Sequence, residues 1–202
     1  MGLQRYTVWL GTIRQWHWIS SALCLVGMLL FAITGITLNH AADIRVTPVV
    51  TSIAAQLPES LLENIIPENE SAPLPLAWSD WLEQELGISL AGRKPEWSDD
   101  EVYVSLPRPG GDAWLAIDLA SGELFYEKTS RGWVSYLNDL HKGRNTGVVW
   151  FWFIDVFSVA CVIFCVTGLV LLYRHAGGRP TTWPMVGLGL IIPLLLAILF
   201  IH

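Results

Sequence analysis

Residues 18–38 read WISSALCLVGMLLFAITGITL, 21 consecutive residues without a charge. At 1.5 Å of rise per residue, such a helix covers about 30 Å, the hydrocarbon thickness of a bilayer. A second apolar stretch, residues 148–173, is interrupted only by Asp155. A third, residues 184–201, contains Pro193. A membrane helix tolerates such a proline when the freed carbonyl finds another partner. The first stretch is longer than a signal-peptide core of about 7–15 residues, and no Ala-x-Ala site follows it. It is therefore expected as a retained span, the alternative being a leader cleaved near Ala42.

Composition agrees with spans around one water-facing segment. Of 202 residues, 52% are hydrophobic and 15% charged, with a formal net charge of −6. Soluble domains carry about 25% charged residues. The acidic balance argues against nucleic acid as a partner, and three cysteines make no disulfide framework. The charge is unevenly distributed. Arg5 and Arg14 precede the first span, and Arg174 and Arg179 separate the second from the third, with no acid in either flank. Residues 39–147 hold eight Lys/Arg against seventeen Asp/Glu, a balance of −9. Short basic flanks decide orientation, so the N-terminus and the turn at 176–183 are expected in the cytoplasm and the acidic segment outside. Trp9, Trp16, Trp18 and Trp183 would mark the inner interface, and Trp133, Trp150 and Trp152 the outer one.

The expected architecture is a membrane α-helical protein with three transmembrane helices and an inserted small α+β periplasmic domain. Its parts are a cytoplasmic or interfacial N-terminus (1–16) and a first span (17–40). The periplasmic domain (41–147) follows, then a second span (148–175), the cytoplasmic turn (176–183) and a third span (184–202). Residues 1–13 suit a short interfacial helix. In the domain, residues 48–66 read as helical, with Pro58 dividing two pieces, and 67–75 as a loop. Residues 76–86, LAWSDWLEQEL, suit an amphipathic helix. Alternation at Val102, Val104 and Leu106 indicates a strand. Turn signals at 109–112 and 120–122 then bound strands at 113–118 and 123–128. The expectation is a three-stranded antiparallel meander with one or two helices. No internal repeat, nucleotide loop or Ser-His-Asp-like cluster is read.

Four of five histidines fall near helix ends. Antiparallel spans would bring His17 level with His175 on one membrane face and His40 level with His141 on the other. Paired imidazoles on facing apolar helices are a way to hold haem iron. Ser21, Cys24, Met28, Phe31 and Gly35 lie within about 40° of the His17 direction. Cys161, Cys165, Gly168 and Leu172 follow the His175 face. Arg14, Arg144 and Arg174 suit haem propionates. The same features have a plainer reading, since interfacial histidines are common and small-residue stripes let membrane helices approach. On an unbroken helix His40 would point about 140° from His17, so either the helix unwinds near Asn39 or His40 serves a different ring in a different direction. His141 precedes Gly143 and Gly147 and is expected on a short re-oriented segment. Asp155 reads as a proton relay or an acceptor for an imidazole N–H, or else as a protonated carboxyl bonding another helix. Cys24, Cys161 and Cys165 form no Cys-x-x-Cys-His and read as packing residues. His202 has no evident partner.

Several short motifs, in order, carry a family likeness. They are Arg14-Gln15-Trp16-His17-Trp18, Thr34-Gly35, Leu140-His141, Thr167-Gly168-Leu169 and Tyr173-Arg174-His175. The stretch 117–123, IDLASGE, adds an Asp-x-x-x-Gly-Glu turn between strands. On these the chain resembles the PepSY-associated transmembrane helix proteins of bacteria over most of residues 12–175. The resemblance implies an inner-membrane b-type haem protein passing electrons to a periplasmic acceptor, as in ferric-siderophore reductases. It implies His17 with His175 and His40 with His141 as haem ligands, one or two haems per chain or shared in an oligomer, and no catalytic side chain of its own. The donor would be a quinol or a cytoplasmic reductant. Larger relatives have four spans, so three leave two ways to enclose a haem: within one chain or in a homodimer. The alternative is a membrane-anchored PepSY module that binds a protein in regulation or assembly, without redox activity. Metal delivery has little support, because the domain has no His or Cys cluster.

Overall fold

The computed structural model describes residues 11–62, 72–90 and 92–201. The expected interfacial helix at 1–13 lies almost wholly outside these residues, as do 63–71 and His202. The chain forms two compact units, residues 1–30 with 153–202 and residues 31–152.

Helix α1 runs Ile13–Asn39, starting four residues before the expected span. Its start is set by a reciprocal cap. The Thr12 N–H donates to Gln15 Oε1 at 2.7 Å, and the Gln15 N–H donates to Thr12 Oγ1 at 3.3 Å. That capping box satisfies two amides which a helix N-terminus leaves over. Helix α5, described here ahead of the domain that precedes it, runs Gly147–His175. A 3₁₀ turn at Ala176–Gly178 leads to the last helix, α6, Thr182–Phe200, which runs through Pro193. All three are long and apolar enough to cross a membrane, each with a mean hydropathy of at least 2.3. In the first unit, α1 and α5 meet at two places. Thr167 lies against His17, and the edge of the Phe157 ring crowds the place where a Cβ on Gly27 would stand. Ten residues forward on α1 are thus ten residues back on α5, which is an antiparallel register.

The second unit is built on five antiparallel strands: β1 (Val49–Gln56), β2 (Pro95–Trp97), β3 (Glu101–Ser105), β4 (Gly111–Asp118) and β5 (Glu123–Ser130). Their order is β1-β5-β4-β3-β2. The expected meander is its centre, β3-β4-β5. Two edge strands are added, and this corrects the helical reading of residues 48–56. The segment VVTSIAAQ pairs along its whole length with β5, from Val49 opposite Ser130 to Gln56 opposite Glu123. Val49, Val50, Thr51 and Ile53 are β-branched and suit a pleated surface. Of the expected pair, the described residues hold a short helix, α2 (Glu59–Leu62).

Helix α3, Leu76–Leu86, matches its expected bounds and ends on Gly87 in the left-handed conformation. Its Trp78 and Leu82 share one core with Val102, Val104, Leu115, Ile117 and Leu124 from the sheet. The two core indoles have their N–H groups bonded, Trp78 to the Leu61 carbonyl at 2.8 Å and Trp97 to the Ala72 carbonyl at 2.7 Å. Buried tryptophans need such partners.

Helix α4, Gly132–Lys142, follows β5 directly and has no counterpart in the expected elements. Its buried Asp139 accepts the Gly110 N–H at 2.8 Å, which ties it to the β3–β4 connection. The Trp150 indole donates to the Leu140 carbonyl at 2.9 Å and so fixes the start of α5 against α4.

Candidate functional site

The four histidines near helix ends are held in two different ways. In the first unit His17, half-buried in the second turn of α1, places Nδ1 3.1 Å from the Thr167 hydroxyl of α5. Its ring stacks on Phe164, with centroids 4.9 Å apart and planes 13° apart. The Thr167 hydroxyl proton is already engaged, donated back to the carbonyls of Ile163 at 2.7 Å and Phe164 at 3.0 Å. The oxygen can then only accept from the imidazole, so Nδ1 is the donor, and in the neutral ring Nε2 carries the lone pair.

The expected partner of His17 is His175, yet Thr167 stands level with His17 instead. His175 lies eight residues further along α5, about 12 Å of axial rise. The Gly27–Phe157 contact sets this register. His175 is exposed, and its Nδ1 donates to the Leu171 carbonyl of its own helix at 2.8 Å.

In the second unit His141 lies on α4, a short helix that ends on Gly143 before α5 begins. Its Nδ1 lies 2.7 Å from the Thr34 hydroxyl of α1. Thr34 also donates to the Phe31 carbonyl at 3.1 Å, so its oxygen accepts here too. The Phe31 ring lies 5.0 Å from the imidazole, tilted by 44°. One turn on, the Thr37 hydroxyl donates to Oδ1 of the buried Asn138 at 2.8 Å. Helix α1 ends at Asn39. His40 is exposed, and its Nδ1 donates to the Ile36 carbonyl at 3.0 Å.

All four imidazoles therefore spend Nδ1 on an oxygen acceptor. Among the described residues no hydrogen bond reaches any Nε2. Arg14, Arg144 and Arg174 are exposed and make no ion pair among the described residues. Arg14 lies one turn before His17, and the Arg144 backbone N–H closes on the Asp139 carbonyl at 2.9 Å. Asp155 is exposed on α5, with no hydrogen bond or ion pair among the described residues. Cys24 is fully buried, and Cys161 lies against it, in keeping with a packing role. No group of three or more His, Cys, Asp or Glu among the described residues is placed to hold a bare metal ion.

Thr34, Thr167, Phe31 and Phe164 are the contacts that reasoning about histidines alone overlooks. The Thr-Gly pairs were legible as motifs, but not as partners of the imidazoles.

In the inserted domain, the Asp118 carboxylate caps the β4–β5 turn. It accepts from the Ala120 N–H at 3.0 Å, the Ser121 N–H at 2.6 Å and the Ser121 hydroxyl at 2.8 Å. The Ser121 bonds foremost, with the Ala120 amide, hold its pKa below the usual carboxylate value.

Compared with known proteins, residues 8–202 match the sequence model of the PepSY_TM-like family. No curated protein and no solved structure matches the chain.

Proposed function

Starting from the chain's membership of the PepSY_TM-like family, we propose that it is a b-type haem membrane protein that passes electrons across the bacterial inner membrane. The observation that carries this reading is the state of the histidines. His17 and His141 are each anchored through Nδ1 to a hydroxyl from another helix, with Nε2 left basic. Histidines that bind iron commonly have this arrangement, the second nitrogen fixing ring and tautomer.

The donor set therefore fits haem in chemistry. His17 and His141 would be first ligands of two haems, with His175 and His40, or histidines of a second copy, as the opposing ligands. Bound there, haem supplies reversible one-electron exchange at its iron. The chain's part is to hold imidazoles in one tautomer and exclude water with apolar helices. Arg14, Arg144 and Arg174 are free to meet propionates. By the basic-flank rule, the N-terminus and the 176–183 turn face the cytoplasm and the inserted domain the periplasm. Electrons then come from a quinol or a cytoplasmic reductant and leave to a periplasmic acceptor, a ferric chelate or a redox protein.

A second reading makes the helices an anchor for the PepSY-like domain, which binds a protein in regulation or assembly. It is favoured by one observation, that Thr167 and not His175 stands level with His17. Under the haem reading the same fact favours a histidine of a second copy over His175 as the ligand opposite His17. The test is the visible spectrum of full-length protein purified in detergent from haem-replete cells. A Soret band, with sharp α and β bands on reduction, is expected, and His17→Ala and His141→Ala should each remove part of it. A colourless preparation overturns the haem reading and leaves the anchor.

A further inference from the structure

Around Thr34, α1 reads Phe31-Ala32-Ile33-Thr34-Gly35; around Thr167, α5 reads Phe164-Cys165-Val166-Thr167-Gly168. Both are Phe-x-x-Thr-Gly. Each copy receives one histidine from a different helix. His17 of α1 rests on the α5 copy, and His141 of α4 rests on the α1 copy. The three contacts recur in the same order. The ring of the Phe lies 4.9 Å from the imidazole in one and 5.0 Å in the other. The hydroxyl meets Nδ1 at 3.1 and 2.7 Å. A Cβ on the Gly would lie 3.2 and 3.6 Å from the imidazole Cε1.

Helix geometry explains the spacing. Residues i, i+3 and i+4 share one face. The segment therefore presents a flat ring, a hydroxyl and a bare Cα in a single stripe. The threonine hydroxyl returns its proton to the preceding turn of its own helix, which leaves it only an acceptor. A Ser could do the same; a Val of similar shape could not. His40 and His175 differ in being held by carbonyls of their own helices.

We infer that Phe-x-x-Thr-Gly is a duplicated imidazole seat, in which Thr34 and Thr167 are positioning residues. They hold His141 and His17 as Nδ1–H tautomers with Nε2 as the basic nitrogen. The inference deepens the haem reading by naming what orients two of its ligands, and it rests on that reading only for what Nε2 faces.

The experiment uses full-length, haem-free protein with ¹⁵N-labelled histidine in detergent, above the histidine pKa. Long-range ¹H–¹⁵N spectra report which ring nitrogen carries the proton, and His17→Gln and His141→Gln assign the signals. His17 and His141 are expected as Nδ1–H tautomers. Thr167→Val should shift His17 towards the Nε2–H form favoured by a free histidine side chain and leave His141 unchanged. Thr34→Val should do the converse. Thr→Ser at either site should restore the original form, a rescue that distinguishes the hydroxyl from mere packing. If either Val variant leaves its own histidine unchanged, or moves both alike, the inference is overturned. Because the sample holds no haem, a failure here is distinct from a missing Soret band.

Discussion

The Nδ1 of His17 lies 3.1 Å from the hydroxyl of Thr167, and this bond fixes which residues of α1 and α5 stand side by side. The two spans do not interlock by an apolar seam alone, since lipid offers the same apolar contacts. A polar bond near one end and a close glycine approach ten residues on define their register.

The two seats should respond differently to one added methyl group. At Gly168 a Cβ would stand 3.2 Å from His17 Cε1, closer than carbon atoms ordinarily settle. At Gly35 the distance to His141 Cε1 is 3.6 Å, an ordinary contact. Replacing glycine by alanine inside a helix gains about 0.5–1 kcal/mol when nothing is displaced. Gly35→Ala should therefore be neutral or stabilising in thermal unfolding. Gly168→Ala should lose that gain, and Gly168→Val should destabilise by about 1–3 kcal/mol through overpacking.

Gly27→Ala should loosen the α1–α5 contact, because its Cβ would clash with the edge of the Phe157 ring, 2.7 Å from Cζ. Adding Phe157→Ala removes the obstacle. The double variant should then unfold at a higher temperature than Gly27→Ala alone, and a double-mutant cycle should show coupling beyond about 0.5 kcal/mol. Simple additivity would mean that the two residues do not meet.

Asp139→Ala should cost about 1–3 kcal/mol, since the buried Gly110 amide loses its acceptor. Asp139→Asn keeps a carbonyl oxygen in reach and should cost less. Amide exchange at Gly110, faster in the Ala variant than in the Asn variant, is the direct measurement.

The turn held by Asp118 gives the domain an acid-sensitive point. Its folded pKa lies below 3.8, chiefly through the Ser121 N–H and hydroxyl bonds. Between the two values the unfolded chain binds the extra proton, so stability rises with pH. The contribution is complete above the usual carboxylate value and is lost as pH falls through the lowered one. Asp118→Ala should flatten this part of the stability profile, as followed by thermal unfolding in acid. An unchanged slope would place the titration elsewhere.

The spans were legible because a long uncharged run in an otherwise acidic chain has few other uses. The β3-β4-β5 core was legible because Val102, Val104 and Leu106 alternate and glycine-rich turns follow. Strand β1 was not, since VVTSIAAQ has no alternation and its residues are exposed on both faces save Ile53 and Ala55, which are partly covered. Its conformation is imposed by β5, from residues far along the chain. Helix α4 was hidden behind Gly132 at its start and a weakly apolar sequence. The helix-end positions of the histidines could be read, but their partners could not. Which residue faces His17 depends on where Gly27 lets Phe157 approach, a matter of packing between helices that periodicity on one helix does not encode.

The first strand of the inserted domain lies beside its last, with Val49 opposite Ser130. During synthesis, VVTSIAAQ emerges long before the segment that completes it. For that interval an uncharged, proline-free strand has no native neighbour, the situation in which chains pair wrongly. Closing so long a loop is also slow. The domain thus matures only when residues 123–130 arrive, just ahead of the second span, which ties the timing of its folding to the insertion of the helix that follows.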